Sequence, residues 1–266
     1  MLRIFYNSRS AMMAQQDKLD SISNNIANVN TDGYKREDVS FKDLVYETLD
    51  RKGYPITNKP AEQKQTINGT GVRTGQWIRD TKQGNLNSTG LNTDFAIVGP
   101  GYFSVTTING GTAYERNGSL DIDASGTLVD KQGNRINLNL TPAGRTELNN
   151  AGGFSKDNFN VNADGIIYLK EKNSTTVPIG KIDIYNAVGD NAFISVGDNL
   201  YTAAPGVQTF VQGDTKVKQG YLEGSNVDIA KEMTDMIVTQ RAFELGSRGL
   251  KTADDMWGLV NSIRGR

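Results

Sequence analysis

Apolar residues recur at helical spacing at both ends of this chain and at strand spacing between them. Near the N-terminus Phe5, Met12, Leu19 and Ile26 fall seven apart. Ile22 and Val29 fill the complementary row, so Leu19, Ile22, Ile26 and Val29 advance in steps of three and four. Ser8 and Gln15 hold earlier places in that second row, which leaves the seam apolar mainly in its C-terminal half. This is a heptad stripe. It predicts a helix within residues 1–35, stopped by Asn30-Thr31-Asp32-Gly33, where Gly can take a left-handed cap.

The other end repeats the design. Ile229, Met233, Met236, Phe243, Leu250, Trp257 and Val260 form one stripe, with Gln240, Ser247 and Ala253 in its gaps. Ser225-Asn226 supply N-cap candidates, and Asp228 suits the first turn near the positive end of the helix dipole. A Pro-free helix within 222–266 follows. Gly246, Gly249 and Gly258 lie inside it, each costing roughly 1 kcal/mol against Ala. They either let a neighbouring helix come close or fray this one.

Between the ends, Ala96-Ile97-Val98, Tyr102-Phe103-Ser104-Val105, Ile166-Ile167-Tyr168-Leu169 and Ile182-Asp183-Ile184-Tyr185 read as short strands. Gly99-Pro100-Gly101, Asn109-Gly110-Gly111, Ala124-Ser125-Gly126, Lys131-Gln132-Gly133-Asn134 and Asp164-Gly165 supply the turns. Residues 50–80, with Gly53, Pro55, Pro60, Gly69, Gly71 and Gly75, read as an extended connector. The predicted fold class is α+β: a discontinuous helical coiled-coil domain from the N- and C-terminal helices plus an inserted, mainly antiparallel β domain. Its divisions are 1–35 for the first helix, 36–80 for the connector, 81–221 for the β-rich domain and 222–266 for the last helix.

Composition removes most chemistry. The 266 residues include no Cys and no His, so thiol nucleophiles, zinc-thiolate sites, Ser-His-Asp triads and His-ligated metals are excluded. With 29 Lys+Arg against 30 Asp+Glu, the chain is not built to coat nucleic acid or an anionic membrane. No segment reaches the roughly 20 apolar residues of a membrane span. Met-Leu-Arg-Ile-Phe-Tyr-Asn is not followed by the apolar run of a cleavable signal peptide, so any export is expected to bypass one.

What remains are look-alikes. Asn160-Val-Asn162-Ala-Asp164-Gly165 through Glu171 approximates a calcium loop, yet its first position lacks a carboxylate and its flanks read as strands. Asp121-Ile-Asp123-Ala-Ser125-Gly126 has Gln132 where the Glu belongs. Asp94, Asp121, Asp123, Asp183 and Asp228 are available for carboxylate chemistry, with no spacing that brings two together. Gly69-Thr70-Gly71 and Gly99-Pro100-Gly101 do not complete a nucleotide fingerprint. Tyr102, Phe103, Tyr114 and Tyr185 lack the basic interleaving of a nucleic-acid platform and read as strand core. No catalytic, cofactor-binding or metal-binding residue is predicted.

One segment goes further. Ser23-Asn24-Asn25-Ile26-Ala27-Asn28-Val29-Asn30-Thr31-Asp32-Gly33-Tyr34-Lys35 closely resembles the N-terminal signature of the bacterial flagellar rod and hook proteins. Glu223-Gly-Ser225-Asn226-Val227-Asp228, Gln240-Arg241-Ala242-Phe243-Glu244 and Lys251-Thr252-Ala253-Asp254-Asp255-Met256 resemble its C-terminal signature. The middle resembles it too, at Thr93-Asp94-Phe95-Ala96-Ile97-Val98-Gly99-Pro-Gly101-Tyr102-Phe103 and at Arg116-Asn117-Gly118-Ser119-Leu120. The chain length, Gly69-Thr70-Gly71-Val72-Arg73 and the 240–256 stretch look most like the distal rod members, with the proximal rod members next.

That resemblance implies paired terminal helices, subunits polymerised into a helical tube that carries torque around an export channel, and passage through the flagellar type III export apparatus. Partners would be further copies of the chain and other rod and hook proteins, in the basal body outside the cytoplasmic membrane. It places Gly33 in the turn leaving the first helix, and Asn24, Asn25 and Asn28 at polar contacts between packed helices. The expected assembly residues are therefore Leu19, Ile22, Asn24, Asn25, Ile26, Asn28, Val29, Gly33, Ile229, Met233, Met236, Gln240, Phe243, Leu250, Trp257 and Val260. The alternative from another class is a secreted calcium-dependent adhesin or carboxylate enzyme with borrowed helical ends. Its inserted domain would carry signatures that this middle segment lacks.

Overall fold

A computed structural model describes residues 2–48, 67–170, 176–189 and 192–264. Gly53, Pro55 and Pro60 of the expected connector, and Glu171 of the calcium look-alike, lie outside the described residues. Among the described residues, three helices and mainly antiparallel sheets make an α+β fold. It divides into two units. One holds helix α1 (Leu2–Ala27), helix α3 (Ile229–Arg264) and the strands between Glu37 and Ile78; the other holds Ala27–Arg36 and Arg79–Val227.

Within the first unit, α1 is rich in good helix formers (Ala11, Met12, Met13, Ala14, Gln15) and carries no Pro. It ends at Ala27, before Val29 and well before Gly33. The Asn-rich sequence ends it: Thr31 N–H donates to the Asn28 carbonyl and the Thr31 hydroxyl to Asn28 Oδ1, a local turn that competes with the helix ladder. Helix α3 is capped by Asp228, whose Oδ1 accepts from Ala230 N at 3.0 Å and Lys231 N at 3.3 Å. The cap thus lies two residues beyond Asn226. Glu37–Asp43 pairs with Val72–Arg79, and Tyr46–Thr48 with Ile67–Gly69. The described part of the expected connector is therefore two strand pairs packed with the helices.

The second unit is built on antiparallel ladders. Its main sheet runs Phe193–Gly197, Leu200–Ala203, Thr112–Glu115, Tyr102–Thr106, Arg135–Ile136, Leu128–Val129, Asp121–Ile122, with Ile184–Ala187 bridging Tyr102–Thr106 to Thr209–Val211. A four-stranded sheet orders Leu138–Leu140, Thr176–Ile182, Ile166–Lys170 and Phe159–Val161. Its helix α2 (Pro142–Asn150) starts on a Thr141 cap, with Pro142 in the first turn. Gly144 faces the strand so closely that a Cβ there would stand 2.0 Å from the Ile179 carbonyl.

One apolar core joins the two sheets, with Phe95, Ile97, Phe103 and Val105 meeting Phe159, Ile167, Leu169 and Ile179. A second cluster holds Tyr102, Tyr114, Phe193 and Tyr201, with Tyr185 packed against it. The four aromatics named from the sequence are strand core, as their alternation suggests. Both calcium look-alikes are hairpins. Phe159–Val161 pairs with Ile166–Lys170, so Asn160 stands opposite Tyr168 in a ladder. Gly165, at φ +79°, closes the turn. Asp123 holds the other turn, accepting from Ala124 N and Ser125 Oγ, and the Ser125 bond draws its carboxyl below the usual range.

Within this unit lies a buried ion triad. Glu223 takes Lys35 Nζ at 2.7 Å on Oε1 and Arg116 Nε at 2.6 Å on Oε2, and all three side chains are buried. Oε1 also accepts from Gly84 N at 2.9 Å, Lys35 donates to the Lys82 carbonyl at 2.8 Å, and Arg116 donates to the Gly101, Gly99 and Ile97 carbonyls. Burial alone would raise the Glu223 carboxyl; Arg116 and Lys35 outweigh it and hold it below the usual range. Burial, helped by Arg116, pushes the Lys35 ammonium down against the pull of Glu223. Removing the shared carboxylate strands two buried cations. Glu223→Gln is therefore expected to destabilise by about 3–5 kcal/mol, read as a drop in the urea midpoint with unchanged slope.

Glu115 is the opposite case. It is buried between Phe103 and Leu200, and its Oε1 has no hydrogen-bond partner among the described residues. Burial first, then the nearby Asp130 charge, raise its carboxyl from 4.5 to about 8. The folded chain keeps this proton where the unfolded chain has lost it. Stability is then full below about pH 4.5 and declines up to about pH 8, by at most ~1.4 kcal/mol per pH unit from this group. Glu115→Gln should flatten that decline in thermal melts between pH 5 and 8.

Candidate assembly interface

The two long helices meet in one unit as an antiparallel pair. Asn25 lies at Glu232 (Nδ2 to Oε2, 3.2 Å), Met12 at Gly246 and Ser8 at Gly249. The advance along the two helices matches, as equal rise per residue requires. A Cβ at Gly246 would come within 2.8 Å of Met12 Cγ, and one at Gly249 within 3.0 Å of Ser8 Oγ, while Gly258 has nothing within 4 Å. Two of the three glycines thus serve close approach, and the third faces open space.

Apart from Ile22, the fully buried residues of the two helices are small or polar. On α1 the buried residues are Ala14, Ser21, Ile22 and Asn25. On α3 they are Glu232, Thr239 and Ala253, and Gly246 completes a row with a repeat of seven. Asn25 is the centre of this seam. Its Oδ1 accepts from Glu37 N at 2.9 Å, and its Nδ2 donates to Glu37 O at 2.8 Å as well as to Glu232. Ser21 Oγ donates to the same Glu37 carbonyl at 2.7 Å, and Lys18 pairs with Asp38.

The predicted assembly residues divide accordingly. Ile22 and Asn25 are buried, Leu19 and Ile26 half-buried, and Asn24 exposed. Asn28, Val29 and Gly33 fall beyond the helix. Gly33 is buried at φ +71°, donating to the Glu223 carbonyl at 2.7 Å; a Cβ would stand 2.7 Å from Asn117 N, so only Gly fits. On α3 only Met236, Phe243 and Leu250 of the expected stripe are half-buried. Ile229, Met233, Gln240, Trp257 and Val260 are exposed. The burial seam is rotated toward Glu232, Thr239, Gly246 and Ala253, which a search for apolar residues passes over. Their seven-residue spacing was the signal that could have found them.

The outward side of the pair is correspondingly apolar. Ile4, Phe5, Tyr6 and Met13 on α1 and Met233, Ile237, Val238, Leu245, Leu259 and Ile263 on α3 are exposed. That many large apolar side chains exposed on two helices point to an interaction site. The carboxylates considered for chemistry stand apart: Asp228 caps α3, Asp123 holds a turn, Asp183 accepts from Asn139 at 3.1 Å, and Asp94 is buried at a bridge to Ser119. Among the described residues no group of three or more Asp and Glu is placed to hold a metal ion. No described helix is long and apolar enough to cross a membrane.

Three family models match the chain: "Flagella basal body rod protein" at residues 5–35, "Flagellar hook protein FlgE/F/G D1 domain" at 96–169 and "Flagellar basal body rod FlgEFG protein C-terminal" at 218–263. The flagellar basal-body rod protein FlgG of Borreliella burgdorferi is 32% identical over 99% of both chains. That of Bacillus subtilis is 36% identical over 99% of this chain and 100% of its own. The Bacillus subtilis flagellar hook-basal body complex protein FlhP is 27% identical over the same shares.

Replacing Asn25 tests the seam. Asn25→Ala removes the side-chain acceptor of the Glu37 N–H and one of the donors to its C=O, and should cost about 1–3 kcal/mol. Asn25→Asp, which removes the donor and sets a carboxylate against Glu232, should cost more, measured as loss of helix signal in urea titrations followed by circular dichroism.

Proposed function

The chain belongs to the flagellar basal-body rod protein family, and from that premise we propose that it is the distal-rod subunit, polymerising through its terminal helices into a helical tube around the export channel. It is a structural rod subunit of the flagellar basal body, close to the FlgG proteins. The observation that carries the assembly reading is the exposed apolar side of the α1–α3 pair, beside a match that spans nearly the whole chain. Apolar area of that size gains about 25 cal/mol per Å² when a neighbour covers it.

In the polymer the two helices act as a coiled coil, with the seven-residue row Glu232, Thr239, Gly246 and Ala253 as its inner seam and Ile229, Met233, Trp257 and Val260 turned to adjacent copies. Leu19, Ile26, Met236, Phe243 and Leu250 flank the seam, and Gln240 and Asn24 sit on the outer side. Asn28, Val29 and Gly33 carry the chain from the helix into the β-rich unit, which stacks outside the tube. Torque passes from copy to copy through this packing and needs no reacting group. The subunit works without cofactor, metal or nucleic acid, is no enzyme, and leaves the cell through the flagellar type III export apparatus. Other rod and hook proteins bound the tube at its ends.

The test is direct. Purified full-length protein, concentrated, should form tubes with an axial channel in electron micrographs. Deletion of residues 1–30 should leave a folded β-rich unit that neither polymerises nor supports swimming; normal swimming by that strain would overturn the reading.

A further inference from the structure

The register of the helix pair leaves one end of α3 running past α1 with no partner among the described residues. With Ser8 at Gly249 and Met12 at Gly246, Leu2 stands about level with Asp255. Beyond that level α3 continues to Arg264, carrying Met256, Trp257, Leu259, Val260 and Ile263. All five are exposed, from 41% at Met256 to 76% at Ile263. An overhang of roughly two helical turns is thus apolar on several sides, directly after the acidic pair Asp254-Asp255.

A receptor of matching character lies on the flank of α1 that faces away from α3. Ser8 and Met12 point to α3, whereas Tyr6, Arg9, Ser10 and Met13 line a groove of about 460 Å³ closed by Leu44 and Thr70. Ser10 anchors its floor, accepting from Val72 N at 3.4 Å, and its Oγ fills the space a Cβ at Gly71 would take. The groove is mostly apolar and carries one cation, Arg9.

We propose that the overhang of one copy seats in this groove of the next, Trp257 beside Met13 and the Asp254-Asp255 pair against Arg9. The occupant is a second copy of this chain, because the helix pairing keeps a chain's overhang away from its own groove and the two surfaces match in apolar character and opposite charge. Since groove and overhang are different surfaces, the contact is heterologous and every added copy presents a fresh groove, which yields an open polymer rather than a closed dimer. This rests on the reading that copies of the chain assemble, and specifies which surfaces meet.

The absence of Cys makes the test clean. Full-length Met13→Cys mixed with full-length Trp257→Cys should give a disulfide-linked dimer under mild oxidation. Yield should exceed that of a Met13→Cys and Ile237→Cys control by roughly tenfold or more, as docking raises the effective thiol concentration. The double variant should give a ladder of linked multimers. Independently, Arg9→Glu should cut pelletable polymer, and adding Asp254→Arg and Asp255→Arg in the same chain should restore it. Tubes that form with no Met13–Trp257 link above control, and no rescue by the charge reversal, overturn the docking and leave the rod reading standing. A chain that forms neither tubes nor links overturns both.

Discussion

A single buried amide sets the helix pair. Asn25 accepts from the Glu37 N–H, donates to the Glu37 carbonyl and donates to the Glu232 carboxylate, so one side chain ties α1 to a strand backbone and to α3. In a site closed to water such bonds are strong, and losing any of them leaves a polar group at a cost. A slip of either helix by one residue would carry Asn25 away from Glu232. The amide therefore fixes the register, as a buried polar residue does in two-stranded coiled coils. Which residues face outward, and how far α3 runs past α1, follow from that register.

The seam and the outer side divide the apolar surface in an unusual way. Gly246 and Gly249 let α1 come close at Met12 and Ser8, and apart from Ile22 the fully buried residues of the two helices, Ala14, Ser21, Asn25, Glu232, Thr239 and Ala253, are small or polar. The large side chains, Trp257, Leu259, Ile263 and their neighbours, face out. Each gains roughly 1.5–3 kcal/mol on full burial, a gain that a lone copy leaves unrealised. The β-rich unit is self-sufficient by comparison. It closes an apolar core over two sheets, adds an aromatic cluster and compensates its buried Lys35 and Arg116 with Glu223. Stability and assembly are thus assigned to different parts of the sequence.

Much of this was legible from pattern alone. Both long helices, the strands around Ala96, Tyr102 and Ile166, and turns such as Asp164-Gly165 lie where periodicity and glycine put them. The misses have physical causes. Residues 37–48 and 67–79 were read as connector because short, polar strands show little alternation, yet they pair and pack with the helices. Helix α2 was passed over although Thr141-Pro142 is a cap-and-first-turn signal; its nine residues carry too few apolar positions to show a period. On α3 the apolar stripe has Met236, Phe243 and Leu250 half-buried, whereas the fully buried Glu232, Thr239 and Ala253 include no large apolar residue for a periodicity to register. The Lys35–Glu223–Arg116 triad joins residues distant in sequence, and no local signal announces it.

The polar seam also decides which helix faces can exchange. Had both sides of α3 been apolar, the helix could rotate and bury either one against α1, and neighbouring copies could replace the proper partner with little penalty. With Asn25 and Glu232 on the inner side, any apolar outer face brought against them strands an amide and a carboxylate away from water, a cost of several kcal/mol. The outer side has no such requirement, and in the proposed polymer it is free to take the apolar surface of a next copy. Discrimination between the pair within a chain and the packing between chains thus comes from a repulsive element on one face only. The tube proposed above needs that asymmetry, because in it each copy keeps its own helices paired while it takes on neighbours.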